Sequence, residues 1–219
     1  MMVLVTGGAG FIGSNLVERL VERGDDVTVL DNFSTGSEEN LEKVKDQVKI
    51  IKDSCLNIPE LDLGNFDLIS HIGIPSSSPM YKEDPLLVGK AINDFINVME
   101  LAKTTGARVV YASTSSMYAQ CSPPHRENMD TEPFDYYTEA RLVMERLAKV
   151  YHELHGVESV GMRFFSVYGR HEQAKGKYAN IISQFYWKMK EDEKPLIYGD
   201  GEQTRDFTHV SDVVDACLK

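Results

Sequence analysis

The sequence predicts an α/β fold in which helices cover both faces of a doubly wound parallel sheet. Two observations predict it: short apolar runs alternate with amphipathic segments, and no internal repeat or low-complexity linker interrupts them. The apolar runs, expected to be strands, lie at residues 2–5, 27–30, 48–51, 68–69, 109–112 and 160–164. The segments between them, expected to be helices, lie at 11–23, 37–45, 86–103 and 137–154.

The alternation ends after Gly169, where a basic loop begins. The residues beyond this loop predict a smaller lobe with a helix at 179–191, a strand and turn at 196–201, and a helix at 211–218 capped by Ser211. The sequence stops inside the last helix. We therefore expect a piece of a longer protein, with one domain at 1–169 and an incomplete C-terminal lobe at 170–219.

Composition and charge narrow the possible partners. The 219 residues are 42% hydrophobic and carry a formal net charge of −11, which argues against nucleic acid or an anionic membrane as partner. No apolar run is long enough to span a bilayer, and no signal pattern opens the chain. The three cysteines match no metal motif, and His152 and His155 lack a third ligand. We expect a cytoplasmic protein without a metal.

A glycine-rich loop follows the first predicted strand and opens the first predicted helix. Gly7, Gly10 and Gly13 occur at every third position, with Phe11 and Ile12 between the last two. Such spacing permits a tight turn, close approach of the backbone to a pyrophosphate, and close packing of helix on sheet. The unpaired N–H groups of the first helical turn then face the anion. The pattern predicts a Rossmann-type dinucleotide site.

An acidic residue completes the signature. Asp31 ends the second predicted strand, where a carboxylate accepts hydrogen bonds from ribose hydroxyls and repels a 2′-phosphate, so NAD is expected rather than NADP. A polar turn beside the ribose adds four candidate contacts: Asn32, Ser34, Thr35 and Gly36. Beyond the third strand, Asp53 and Ser54 are candidates for the adenine, although Asp53 is also placed as a turn or helix cap.

With these motifs and further blocks of sequence, the chain resembles over its whole length the extended short-chain dehydrogenases/reductases that act on nucleotide sugars. The blocks lie at residues 6–13, 31–36, 111–118, 163–169 and 198–207, together with Tyr137 and the helix that follows it. The resemblance implies an NAD-dependent enzyme whose second lobe binds the nucleotide sugar. It also implies Ile72 at the cofactor edge and a homodimer that packs the two long helices together.

The resemblance assigns the catalytic work to Thr114 and Tyr137. Oxidation of a secondary alcohol needs a base for its hydroxyl proton, and a phenol with an intrinsic pKa of about 10 serves only when a nearby cation lowers that pKa to about 7. The family carries a lysine four residues after the tyrosine, whereas this chain has Arg141. The i, i+4 spacing keeps the charge near Tyr137, so both are expected to contact the cofactor.

Arginine is a planar, bulkier cation than lysine, so the exchange is not conservative. A catalytically impaired NAD-binding protein therefore remains an alternative. Ser166 also departs from the family, which has an asparagine there. The resemblance implies substrate contacts at Thr114, Ser115, Ser166, Asn180 and Arg205, and the donors around residues 175–178 are further candidates for the nucleotide. Arg205 is alternatively a surface partner of Asp206.

The segment after Thr114 bears on the reaction. The dehydratases and decarboxylases that resemble this chain carry an acid one or two positions after the catalytic threonine, where this chain has Ser115 and Ser116. Because dehydration needs a general acid/base at that place, epimerisation at C4 of a UDP-hexose, of the UDP-glucose/UDP-galactose type, is the favoured expectation. A reductase, a uronate epimerase and a dehydratase stay open.

Overall fold

A computed structural model describes residues 1–219 and contains a six-stranded sheet, a two-stranded sheet and six α-helices. The strands are β1 (Met2–Thr6), β2 (Asp26–Asp31), β3 (Lys49–Lys52), β4 (Leu68–His71), β5 (Arg108–Thr114), β6 (Ser159–Phe164), β7 (Val167–Tyr168) and β8 (Thr208–His209). The helices are α1 (Phe11–Arg23), α2 (Ser78–Glu83), α3 (Leu87–Thr105), α4 (Tyr136–His155), α5 (Ile181–Lys190) and α6 (Val210–Cys217).

The large sheet has the order β3-β2-β1-β4-β5-β6, and all its neighbouring strands are parallel. This is the strand order of the doubly wound dinucleotide-binding fold. The predicted fold class is therefore confirmed. Because β1 leads to β2 on one side while β4 lies on its other side, the strand order reverses between β1 and β4, and a crevice forms at their carboxyl ends.

Alternate residues of β1 enter two different cores. Leu4 packs with the buried faces of α3 and α4, whereas Val3 and Val5 pack with α1 and α6. All three side chains are fully buried. Burial on both faces is what a central parallel strand requires, and it explains why this strand is continuously apolar.

Two expected elements are wrong. Residues 37–45 form two short 3₁₀ turns, Glu38–Leu41 and Lys45–Gln47, rather than one α-helix. The buried amide of Asn40 donates to the carbonyls of Ala9 and His171, which ties this segment to the glycine loop. Residues 196–201 contain a turn but no strand, because no neighbouring strand pairs with the exposed residues before it.

The C-terminal segment differs from expectation in the residue that caps its helix. The ring of His209, rather than Ser211, caps α6 by accepting from the Ser211 N–H at 3.3 Å. Helix α6 packs on α1, and Arg19 pairs with Asp215 at 3.0 Å. The division of the chain at residue 169 stays a prediction. None of the helices is both long and apolar enough to cross a membrane.

Candidate active site

A cleft of about 370 Å³ opens at the carboxyl ends of β1 and β4. Its walls come from the glycine loop, the loop after β4, the end of β5 and the N-terminal half of α4. All fifteen residues expected at the cofactor line it: Gly7, Gly10, Phe11, Ile12, Gly13, Asp31, Asn32, Ser34, Thr35, Gly36, Asp53, Ser54, Ile72, Tyr137 and Arg141. Their contact with a cofactor stays a prediction, but the structure brings them together.

The glycine loop has no room for side chains. A Cβ on Gly7, whose φ is +69°, would lie 2.3 Å from the Cα of Gly73, and one on Gly13 would lie 2.0 Å from the Gly7 carbonyl oxygen. Gly10 precedes α1 without any side-chain cap, so the first N–H groups of the helix are left for another acceptor. This cradle fits a pyrophosphate.

Asp31 is held by the loop that it faces. One carboxylate oxygen accepts the Ala9 N–H at 2.8 Å, and the other accepts the Phe33 N–H at 2.7 Å. Burial raises the pKa of this carboxyl despite these hydrogen bonds. The carboxylate retains lone pairs for ribose hydroxyls, and its position at the end of β2 fits NAD.

Asp53 has one of its two expected roles in the structure, that of a cap. Its Oδ1 accepts from the Ser54 N–H and from the Asn57 amide, both at 2.7 Å, so it orders the turn after β3. It also lines the cleft together with Ser54. The cap alternative is thus present in the structure, and contact with an adenine stays a prediction.

Thr114 and Tyr137 both line the cleft. The Thr114 hydroxyl accepts the Ser116 N–H at 3.1 Å, which leaves its own proton free to donate. The Tyr137 ring packs edge-on against Tyr81, with the ring centroids 5.5 Å apart, and it is nearly buried. The structure thus offers one free hydroxyl donor and one fixed phenol in the cleft, and their catalytic role stays a prediction.

Arg141 lies below this pair with only 2% of its surface exposed. Its guanidinium carbon is 5.1 Å from the Tyr137 ring centroid. One terminal nitrogen donates to the Pro75 carbonyl at 2.9 Å and the other to the Ala112 carbonyl at 3.3 Å. The structure thus fixes a buried cation, held by two backbone carbonyls, beside the Tyr137 ring.

A family model described as the NAD dependent epimerase/dehydratase family matches residues 3–219. The chain belongs to this family. Its dependence on NAD agrees with the glycine loop and Asp31, so the cofactor predicted from the sequence is confirmed.

Individual relatives of this epimerase/dehydratase chain differ in reaction. A Methanocaldococcus jannaschii protein provisionally named a UDP-glucose 4-epimerase is 35% identical, over 99% of this chain and 72% of its own length. UDP-glucuronic acid decarboxylase 1 of Arabidopsis thaliana is also 35% identical, over 100% of this chain and 51% of its own length. The chain thus spans about half of the latter.

A solved structure gives the same picture. Thermotoga maritima UDP-glucose 4-epimerase with UDP-glucose superposes with a TM-score of 0.93 at 29% identity, covering 100% of this chain and 72% of its own. Both the fold and the class, an enzyme of the epimerase/dehydratase family, follow from these matches. The particular sugar and reaction do not, because decarboxylases match as well.

The structure separates the expected substrate residues of this family member into two groups. Thr114, Ser115, Ser166 and Asn180 line the cleft. The Asn180 side-chain oxygen caps α5 by accepting the Ile182 N–H at 3.0 Å, so only its NH₂ group is free. Arg205 is exposed outside the cleft, and its guanidinium donates to the neighbouring Thr204 carbonyl. Its substrate role stays a prediction, and it forms no ion pair with Asp206.

Lys90 and Asp94 in the cleft were not predicted from the sequence, whereas Gly73 in the cleft and His71 beside it border Ile72, which was predicted at the cofactor edge. Lys90 and Asp94 project from α3, with their charged atoms 4.0 Å apart, and Gly73 packs on Gly7. His71 hydrogen-bonds to Thr6 at 2.7 Å, while burial and the Arg141 charge lower its pKa to about 3, which keeps it neutral. No local motif marks these residues, because their placement depends on contacts between distant segments.

Replacing Asp94 by asparagine is expected to stabilise the fold above pH 6. Burial raises the pKa of Asp94 from 3.8 to about 6, and its Oδ1 has no hydrogen-bond partner. The folded protein therefore holds this proton where the unfolded chain has lost it, so the cost of ionisation grows from about pH 4 and is complete above about pH 6. Urea unfolding at pH 4.5 and 7.5 should show that the variant's free energy of unfolding exceeds the parent's by on the order of 1 kcal/mol at the higher pH only.

Asp62→Asn, at an exposed aspartate, is the matched control and should leave the free energy of unfolding unchanged at both pH values. A destabilised Asp94→Asn at pH 7.5 would contradict the prediction. It would mean that the ionised carboxylate of Asp94 stabilises the fold through its pairing with Lys90.

Proposed function

We propose that this protein interconverts UDP-hexoses that differ at C4. The observation that carries the proposal is the lack of any carboxylate in residues 114–117, where related dehydratases and decarboxylases have an acid. The carboxylates that line the cleft are Asp31, Asp53 and Asp94, and none belongs to this segment. Epimerisation needs no extra acid, because the proton removed from the alcohol is the one later returned. The names of the Methanocaldococcus and Thermotoga relatives support the same reaction.

The residues of the cleft supply proton transfer and orientation. NAD, when bound, supplies the acceptor and donor of the C4 hydride. The ionised Tyr137 phenol receives the proton of the C4 hydroxyl as the alcohol becomes a ketone, and it returns that proton to the inverted alcohol. The Thr114 hydroxyl donates to the same oxygen and fixes its position. Two electrons leave and re-enter C4, so the sugar is isomerised without net oxidation.

Arg141 acts through Tyr137 as a positioning residue. It joins the Ala112 carbonyl on β5 to the Pro75 carbonyl after β4, which fixes its charge beneath the phenol. A lysine ammonium is a point charge without the guanidinium fork and cannot span both carbonyls in the same way. The arginine is therefore a working substitute for the family lysine in this proposal.

Replacing Arg141 by lysine is expected to lower kcat by about tenfold, because one buried carbonyl loses its charged donor and the cation is no longer fixed between the Pro75 and Ala112 carbonyls. A fall in kcat with an unchanged KM and an unchanged urea-unfolding midpoint separates this effect from simple misfolding. Arg146→Lys, at an exposed position on the same helix, is the control. A large gain in rate for Arg141→Lys would instead show that arginine had compromised the site.

The reaction is tested by incubating the protein with UDP-galactose and NAD while following UDP-glucose and NADH. Formation of UDP-glucose without net NADH supports the proposal. Conversion of UDP-glucuronic acid with release of CO₂, in place of epimerisation, would overturn it and identify a decarboxylase. Net consumption of added NADH would identify a reductase.

One observation favours a second candidate, a catalytically impaired NAD-binding protein. Two terminal nitrogens of Arg141 are already engaged by backbone carbonyls, which reduces what it can offer to the nicotinamide ribose. NAD binding at micromolar concentration with no turnover of any UDP-hexose or UDP-uronate would favour this candidate.

We also propose a homodimer that packs α3 and α4 of two copies together. Apolar side chains on the outer side of α4 support it, since Val150 and Leu154 are 44% and 70% exposed. Sedimentation equilibrium should give twice the mass of the chain. A monomer at 50 times the assay concentration would refute this interface.

A further inference from the structure

Three cationic side chains line the cleft: Lys90, Arg141 and Lys175. Two of them have partners away from the glycine loop. Arg141 donates to the carbonyls of Ala112 and Pro75, and Lys90 lies 4.0 Å from Asp94. Lys175 alone packs against the first residue of α1, with its Nζ 5.5 Å from the centroid of the Phe11 ring.

Lys175 is held in place by the segment before α5. Its Nζ lies 3.2 Å from a carboxylate oxygen of Glu172, whose side chain is fully buried. The lysine side chain is only 15% exposed. An ammonium has three donors, so one bond to Glu172 and contact with the Phe11 ring leave at least one donor free at the mouth of the glycine loop.

A full positive charge at this point would stabilise a bound pyrophosphate. It brings two negative charges into a cleft that already contains three aspartates, in a chain of net charge −11. The N-terminus of a helix offers the equivalent of only about half a charge. A fixed ammonium beside Phe11 supplies the remainder without crossing the cleft.

We propose that Lys175 binds the pyrophosphate of NAD at the mouth of the glycine loop, beside Phe11, with Glu172 as its positioning residue. Glu172 also accepts the Asn180 N–H at 2.7 Å and the Ser183 hydroxyl. One buried carboxylate thus holds a cofactor contact on one side and the expected substrate residue Asn180 on the other. The segment that meets the nucleotide sugar thereby contributes to retention of the cofactor.

The test compares ligands with and without a pyrophosphate. Lys175→Met should weaken NAD and ADP-ribose about tenfold or more by calorimetry, while adenosine, which has no phosphate, binds as before. Lys175→Arg should restore most of the affinity. Lys177→Met is the control, because Lys177 is exposed and pairs with Glu83.

Three results would overturn the proposal. An unchanged NAD affinity in Lys175→Met would show that Lys175 does not contact the pyrophosphate. An equal loss of affinity for adenosine would show that Lys175 has only a structural role. Loss of UDP affinity with unchanged NAD affinity would assign the lysine to the sugar nucleotide instead. The inference rests on NAD binding and not on the proposed reaction, so all binding is measured without turnover and an inactive enzyme leaves it standing.

Discussion

Replacing Tyr137 by phenylalanine is expected to lower kcat for UDP-galactose epimerisation by about 10²–10⁴-fold while leaving the NAD affinity nearly unchanged. The substitution removes one oxygen and keeps the ring that packs edge-on against Tyr81 and over Arg141. Because the packing is retained, the loss reports the missing base. Single-turnover formation of UDP-glucose, with NAD binding measured in parallel, provides the measurement.

The chain supplies a matched control for this variant. Tyr136 is the preceding residue on α4, but it is 53% exposed and does not line the cleft. Tyr136→Phe should therefore keep full activity. If Tyr137→Phe epimerised as fast as the parent, Tyr137 would not be the base, and the proton would have to leave through another group.

The dinucleotide-binding signature could be predicted from the sequence because a local pattern carries it. The glycine spacing and Asp31 depend on one strand, one turn and one helix, so a contiguous segment of the chain encodes them. The structure adds what a contiguous segment cannot show. Gly73, far from the loop in sequence, approaches Gly7 so closely that neither position tolerates a Cβ.

The elements that differ from the sequence-based prediction also depend on contacts between segments that are distant in sequence. Residues 37–45 carry helical periodicity, but the long-range hydrogen bonds of Asn40 hold them as 3₁₀ turns. Residues 196–201 have the composition of a strand but no neighbour to pair with. The proposed roles of Arg141 and Lys175 likewise depend on partners such as Pro75 and Phe11, which lie 66 and 164 residues away in sequence, and no spacing rule identifies such partners.

Replacing Gly13 by alanine is expected to abolish useful NAD binding, with a fall in affinity of about a hundredfold. The new Cβ would lie 2.0 Å from the Gly7 carbonyl oxygen, 2.8 Å from its carbon and 2.9 Å from the Gly8 Cα. All three atoms belong to the backbone, so no side chain can rotate away. The helix must instead move off the loop, which separates the N–H groups that converge on the pyrophosphate.

The same displacement should lower the free energy of unfolding by about 1–3 kcal/mol, as overpacking commonly does. Gly89→Ala is the matched control, because Gly89 lies exposed on α3 with nothing within 4 Å of an added Cβ. That change should raise the free energy of unfolding by about 0.5–1 kcal/mol and leave NAD binding intact. Calorimetric titration with NAD measures the affinity of both variants, and urea unfolding measures their stability. If Gly13→Ala bound NAD like its parent, the loop would be too compliant to act as a preformed cradle, and the cofactor would have to be held mainly by Asp31 and the opposite wall.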